Sequence, residues 1–273
     1  MTLSKKNIQA FQQKIFDWWK GHKRDLPWRH THDPYKIMVS EVMLQQTQVS
    51  RVLMRYAEFI EVYPDVQSLA KAKTSDVLKI WKGMGYNRRA LYLHQAAKII
   101  SEKYHNHFPL SQQLLSKLPG VGKYTARAIL VFAHKKDIAM VDTNIRKIIT
   151  HFFFQDKKQP ENVIQDLADQ LLPKGKSWQW HQALMDLGSQ MQTISNAKCP
   201  MSNKKLPFRE SNRFFRGRIV DLLREKGWKE TALLREMVKR HGKDVQFYKK
   251  ILEKLLQEGL LTRSPSAIIS LPE

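Results

Sequence analysis

Two carboxylates, Glu41 and Asp142, stand in surroundings that would give them unlike protonation. Glu41 lies in a helical pattern with Ile37, Met38 and Leu44 at helical spacing. A carboxyl among apolar neighbours loses hydration, so its pKa rises and it can keep a proton near neutral pH. Asp142 closes an apolar run at a helix start, Val141-Asp142-Thr143-Asn144. There it meets unpaired backbone N–H groups and the positive end of the helix dipole, which favour the ionised form. One group that can give a proton and one that stays anionic would together suit acid catalysis with electrostatic stabilisation of a cation. On periodicity alone, a solvated glutamate and a structural helix cap are the commoner readings of the two residues.

The stretch that must position them is 112–149. An amphipathic run ends at Leu118-Pro119-Gly120-Val121-Gly122, and a second helical pattern begins at Lys123 with Ala126, Ile129, Leu130 and Ala133 on one face. Two helices joined by a Pro- and Gly-containing turn make a tight αα-hairpin. The N–H groups of Gly122, Lys123 and Tyr124 then form an anion site, with Lys123 adding a charge. A plain helix–turn–helix connection explains the pentapeptide equally well.

The rest of the chain reads as almost wholly helical. Patterns fall at 4–20, 35–48, 49–62, 75–82, 87–104, 111–117, 123–134, 143–154, 160–172 and 177–191, with breaks at Pro and Gly positions. A basic, weakly periodic stretch at 193–210 separates this core from 211–273. The latter holds three helical patterns (214–226, 231–241, 244–258) and a short two-stranded ending around a Ser-Pro turn. That order predicts a winged helix whose third helix, with Lys249, Lys250 and Lys254, faces DNA; a protein-binding winged helix with a solvated basic face fits as well.

Lys plus Arg number 47 against 25 Asp plus Glu, a net charge of +22 over 273 residues. Such an excess points to a polyanionic partner, nucleic acid first and an anionic membrane surface second. No apolar run reaches spanning length, and the N-terminus lacks the apolar core of a signal peptide. A single cysteine, Cys199, excludes an internal disulfide and an all-cysteine metal site. The expectation is a monomeric, cytoplasmic, nucleoid-associated protein.

Leu118-Pro-Gly-Val-Gly-Lys-Tyr-Thr-Ala126 followed by Val141-Asp-Thr-Asn144 resembles the helix–hairpin–helix DNA glycosylase superfamily over about residues 8–192. Pro34-Tyr-Lys and Ser40-Glu-Val-Met-Leu-Gln-Gln-Thr-Gln-Val49 resemble its adenine-specific, mismatch-directed branch. The resemblance implies an all-α, two-lobed core, with a six-helix barrel at about 31–136 and a second lobe from 1–30 and 137–192. It implies excision of adenine opposite 8-oxoguanine or guanine in double-stranded DNA, by flipping the nucleotide into a pocket. Glu41 would protonate the leaving base, Asp142 would stabilise the sugar cation, and Tyr124 and Asn144 would support them. Trp28, Arg29 and Asp186 match base-pocket positions; Gln46 and Tyr86 match residues that wedge into the base stack. Gly120, Gly122 and Lys123 would hold phosphate, as would Arg88, Arg89 and Lys147. The lyase-competent branch carries a Lys where this chain has Tyr124, so the expectation is a glycosylase without β-elimination.

The chain departs from the family twice. Where relatives carry four cysteines spaced C-x6-C-x2-C-x5-C, this sequence reads Gln192, Cys199, Ser202 and Phe208. One ligand of four cannot hold an iron–sulfur cubane, so none is expected; the hairpin carbonyls leave room for a monovalent cation. Residues 211–273 are also too few and too helical for the β-rich domain that reads the oxidised base in relatives. Two other functions stay open: a thymine or uracil glycosylase acting opposite guanine, disfavoured by the 41–46 segment, and a non-catalytic DNA-binding protein on the same scaffold.

Overall fold

The computed structural model describes residues 2–195 and 207–273, with side chains in the first stretch only as far as 191. Helices run in the order α1 (Lys5–Lys20), α2 (Pro34–Leu44), α3 (Val49–Val62), α4 (Val66–Lys71), α5 (Thr74–Ile80), α6 (Arg88–Tyr104) and α7 (Gln112–Leu115). They continue as α8 (Lys123–His134), α9 (Thr143–Phe154), α10 (Glu161–Leu171), α11 (Ser177–Ser195), α12 (Asn212–Leu223), α13 (Glu230–His241) and α14 (Val245–Gln257). Short strands β1 (Trp228–Lys229), β2 (Thr262–Arg263) and β3 (Ile268–Ser270) complete it. No helix among the described residues is long and apolar enough to cross a membrane. The described residues fall into two compact units, 2–41 with 108–117 and 121–195, and 42–107 with 118–120 and 207–273.

The first unit is held by an apolar cluster that the helical periodicity dictates. Phe11 and Ile15 of α1, Ile145, Ile148 and Ile149 of α9, Ile164, Leu167 and Leu171 of α10, and Trp180, Ala183 and Leu184 of α11 recur at spacings of three and four. Phe11 meets Trp180 and Phe153 edge to face, at 6.0 and 4.9 Å between ring centroids. Local signals set the helix starts. Ser4 Oγ accepts from Asn7 N at 3.3 Å, and Asp33 Oδ1 accepts from Tyr35 N at 2.8 Å ahead of Pro34, the first residue of α2.

In the second unit α4 packs on α6, and α3 buries Val52, Tyr56 and Phe59 as one stripe. The sequence patterns omitted α4, a six-residue helix too short to show a period, although Asp65 and Ser68 form a capping box at its start. The C-terminal part has winged-helix order, with one element beyond the expected two strands. Trp228–Lys229 forms an edge strand, giving a sheet ordered β1-β3-β2 with Trp228 opposite Ile269 and Thr262 opposite Ser270. Two residues are too few for alternation to be visible in sequence. Arg224 of α12 donates to Leu78 O at 3.0 Å and Asn87 Oδ1 at 3.2 Å, tying this part to α5 and the start of α6.

Helix α2 was expected to run to Gln48 but ends at Leu44, because Gln46 takes a left-handed backbone (φ 54°). The carbonyls freed there bind a cation. Arg89 of α6 donates to Val42 O, Met43 O and Gln45 O at 2.7–2.8 Å, and also to Thr47 Oγ1, Met84 O and Gly85 O at 2.9–3.2 Å. Arg89 was expected at a phosphate; it is instead buried and fully engaged with the chain.

Candidate active site

Glu41, Tyr124, Asp142, Asn144, Arg29 and Asp186 all belong to the first unit. Glu41 sits near the end of α2 with 8 % of its surface exposed, beside the fully buried Met38 and Ile37. Loss of hydration, reinforced by the negative charge of Asp142, pushes its pKa up to about 8. The Tyr124 hydroxyl donates to the Glu41 carboxylate and opposes that rise in part. Tyr124 is the second residue of α8 and turns towards Glu41, whereas its neighbour Lys123 is exposed.

Asp142 is the N-cap of α9. Its Oδ1 accepts from Ile145 N at 2.7 Å and its Oδ2 from Asn144 Nδ2 at 2.9 Å. The cap was expected to hold this carboxyl in its usual range or below. Burial outweighs the cap and moves the pKa upwards, with the donated hydrogen bonds opposing. The order of ionisation still follows from the pair: it is the charge on Asp142 that helps keep Glu41 protonated. Asn144 Oδ1 is buried and has no partner among the described residues.

One residue the sequence reading passed over sets this geometry. Gly188 of α11 faces the start of α9 so closely that a Cβ there would lie 2.6 Å from Asn144 Cβ and 2.9 Å from Asn144 Cα. Only glycine permits this approach between the two helices. A glycine inside an otherwise helical, apolar pattern was the available signal.

Arg29 and Trp28 lie in a 3-10 turn, Pro27–Arg29, and both are buried. Arg29 forms a two-pronged ion pair with Asp186, at 2.9 and 2.7 Å, and donates to Arg24 O at 2.8 Å. Asp186 also accepts from Trp19 Nε1 at 2.9 Å, Arg24 N at 3.2 Å and Arg24 Nε at 2.5 Å. These donors hold its pKa below the ordinary carboxylate range against the opposing effect of burial. With five hydrogen bonds accepted, the carboxylate has no lone pair left for a base, so the expected substrate contact at Asp186 becomes an internal anchor. It fixes Arg29, whose Nε is buried without a partner among the described residues.

The remaining expected residues lie elsewhere. Gln46 and Tyr86 belong to the second unit; both are exposed and both have positive φ, 54° and 48°. Gly120 of the hairpin turn needs its φ of 75°, and a Cβ there would press on Tyr92 at 3.0 Å. Gly122 caps α8 with no side-chain hydrogen bond, so the first N–H groups of that helix lack intrahelical partners. Arg88 approaches Tyr92 and Glu258 rather than standing free. Cys199 and Ser202 lie outside the described residues, as does the Gln192 side chain. With one cysteine in the whole sequence, the donor set does not fit a four-cysteine cluster.

A helix-start carboxylate beside a protonated, buried glutamate, next to a glycine-rich hairpin, can be compared with known proteins. The profile of the HhH-GPD superfamily of base excision DNA repair proteins matches residues 39–174. An adenine DNA glycosylase of Mycobacterium tuberculosis is 33% identical, with 94% of this chain and 92% of the relative covered. The chain belongs to the helix–hairpin–helix superfamily of base excision DNA repair glycosylases. An adenine DNA glycosylase of Buchnera aphidicola is 32% identical over 75% of this chain, which spans only 61% of that relative's length. The solved structure of a thermostable thymine-DNA glycosylase superposes with a TM-score of 0.64 at 32% identity, covering 67% of this chain and 87% of the other.

Proposed function

We propose that this glycosylase excises adenine mispaired with guanine or 8-oxoguanine from double-stranded DNA, without cleaving the strand. The observation that carries the chemistry is the pair Glu41 and Asp142: a carboxyl kept protonated near neutral pH, partly by the charge of its neighbour. In the proposed reaction Glu41 gives its proton to N7 of the flipped adenine as the bond from N9 to C1′ breaks. Asp142 faces the positive charge left on the sugar. Water then adds to C1′, and Glu41 recovers a proton from it, so the acid is regenerated. Arg29, fixed by Asp186, offers its unpartnered Nε to an acceptor on the base. The uncapped start of α8, with Lys123, holds a phosphate.

Three features support the finer reading. The most similar full-length relative is named for adenine. Position 124, which faces Glu41, is a tyrosine and carries no amine to form a Schiff base with the sugar. The single cysteine supports a cluster-free enzyme. The likeness to a thymine-DNA glycosylase favours a second reading, excision of thymine opposite guanine.

Duplexes holding A:8-oxoguanine, A:G, T:G and U:G, treated with the protein and then with alkali, separate the two. Breaks at adenine alone, and only after alkali, are expected. Breaks at T:G or U:G would favour the second reading, and breaks without alkali would refute the absence of lyase activity. Asp142→Asn should abolish breakage while duplex binding stays near wild type; loss of binding instead would make Asp142 only a cap.

A further inference from the structure

The second unit contains a cleft of about 820 Å3, within the range of ligand-binding sites, about 300–1,000 Å3. Its walls come from distant parts of the chain: Gln46, Arg51 and Tyr86 on one side, Phe208 and Arg213 at the start of the C-terminal part on the other. The Arg213 guanidinium lies 4.7 Å from the centre of the Tyr86 ring and 4.8 Å from that of Phe208, and it donates to the Tyr86 hydroxyl. Both rings remain exposed, Phe208 by 55 % and Tyr86 by 36 %.

Charge in the cleft is not balanced. Asp221 is taken by Arg218 and Arg224, and the nearby Glu258 by Arg216. Among the described residues, no carboxylate pairs with Arg213 or Arg51. Gln46 and Tyr86 project from left-handed backbone, a costly state that persists where the surroundings fix it, here through Arg89 and its six acceptors. Exposed ring faces beside uncompensated guanidinium groups match a nucleotide: the base stacks, and the planar fork meets two acceptors or a phosphate. Guanine is the base that offers Arg two adjacent acceptors, O6 and N7, and 8-oxoguanine keeps the O6.

We infer that this cleft receives an unpaired guanine-type base of the bound duplex and that Arg213, from the C-terminal part, reads it while Tyr86 and Phe208 stack on it. The inference rests on the reading that mismatched duplex DNA is the substrate, and it assigns the C-terminal part a share in choosing the base opposite the lesion.

Its test is equilibrium binding, which needs no catalysis. The full chain is titrated at fixed salt with duplexes in which a tetrahydrofuran abasic analogue lies opposite guanine, 8-oxoguanine or a second abasic analogue. The wild type should bind the two guanine-type duplexes about tenfold more tightly than the doubly abasic one. Arg213→Ala should erase that preference while keeping its affinity for the doubly abasic duplex within about twofold of wild type. Arg213→Lys, which retains charge without the fork, should not restore it. Equal weakening towards all three duplexes would show a plain phosphate contact and overturn the inference. Uniform tightening would show a guanidinium that merely caps Tyr86, and absence of preference in the wild type would overturn it as well. Adenine release from A:G duplexes by the wild type is scored separately, so failure of the glycosylase reading is visible independently of these outcomes.

Discussion

The protonation of Glu41 makes the rate of base excision depend on pH with a defined sign. With a pKa of about 8, the carboxyl is about nine-tenths protonated at pH 7 and about one-tenth at pH 9. If Glu41 gives the proton, excision should fall about ninefold across that interval. Tyr124→Phe removes the hydroxyl that donates to the ionised carboxylate, so the pKa should move above 8 and the alkaline fall should move with it. The assay is single-turnover adenine release from an A:8-oxoguanine duplex between pH 6 and 10. Each protein is normalised to its own rate at pH 7, which removes any loss from mispositioning. The Tyr124→Phe variant should keep a larger share of its activity at pH 9 than the wild type does. A wild-type profile that is flat or rising between pH 7 and 9, or a variant whose fall comes at lower pH, would refute Glu41 as the proton donor.

Other consequences follow from the same contacts. Glu41 is neutral in both folded and unfolded chains below its ordinary value of 4.5, but above that the folded state alone resists ionisation, and wild-type stability is lost as pH rises towards 8. Glu41→Gln should therefore raise Tm relative to wild type at pH 9, by an amount worth a few kcal/mol, and change it little at pH 4; an equal effect at both pH values would mean that Glu41 is solvated. Gly188→Ala places a methyl group against Asn144 backbone and should cost about 1–3 kcal/mol, with a fall in excision rate exceeding any fall in duplex affinity. Urea unfolding and single-turnover kinetics would detect both, and a wild-type rate would detach this packing from the placement of Asp142. Arg89→Lys replaces a group that serves six acceptors by one with three donors; each buried carbonyl left unpaired should cost about 1–3 kcal/mol, visible as a lower midpoint in urea.

Much of the helical scaffold was legible because its signals are local. The bounds of α3, α8 and α9 follow from an apolar stripe, a glycine turn and an aspartate cap, each contained within a few residues. The third strand of the sheet and the six-residue α4 were not, since neither is long enough to display a period. Among the site residues, Glu41, Tyr124, Asp142 and Asn144 could be named from motif spacing. Arg89 and Asp186 could be named too, but for the wrong partners. A basic side chain in a cationic protein reads as a phosphate ligand until its burial is known, and an acidic one near a site reads as a substrate contact until its hydrogen bonds are counted.

The amino-acid sequence by itself determined which helices form, that one carboxyl begins a helix and another sits among apolar residues, and that a single thiol stands where four would be needed. Tertiary structure decided the sign and cause of each perturbed pKa. Burial raised Asp142 against its own cap, and Asp142 raised Glu41 across a hundred residues of chain. It also decided that the carbonyls at the end of α2 are closed by a guanidinium from α6, and that Arg213 meets Tyr86. Helix periods and caps are written in neighbouring residues, whereas desolvation and hydrogen-bond satisfaction depend on side chains that only folding brings together.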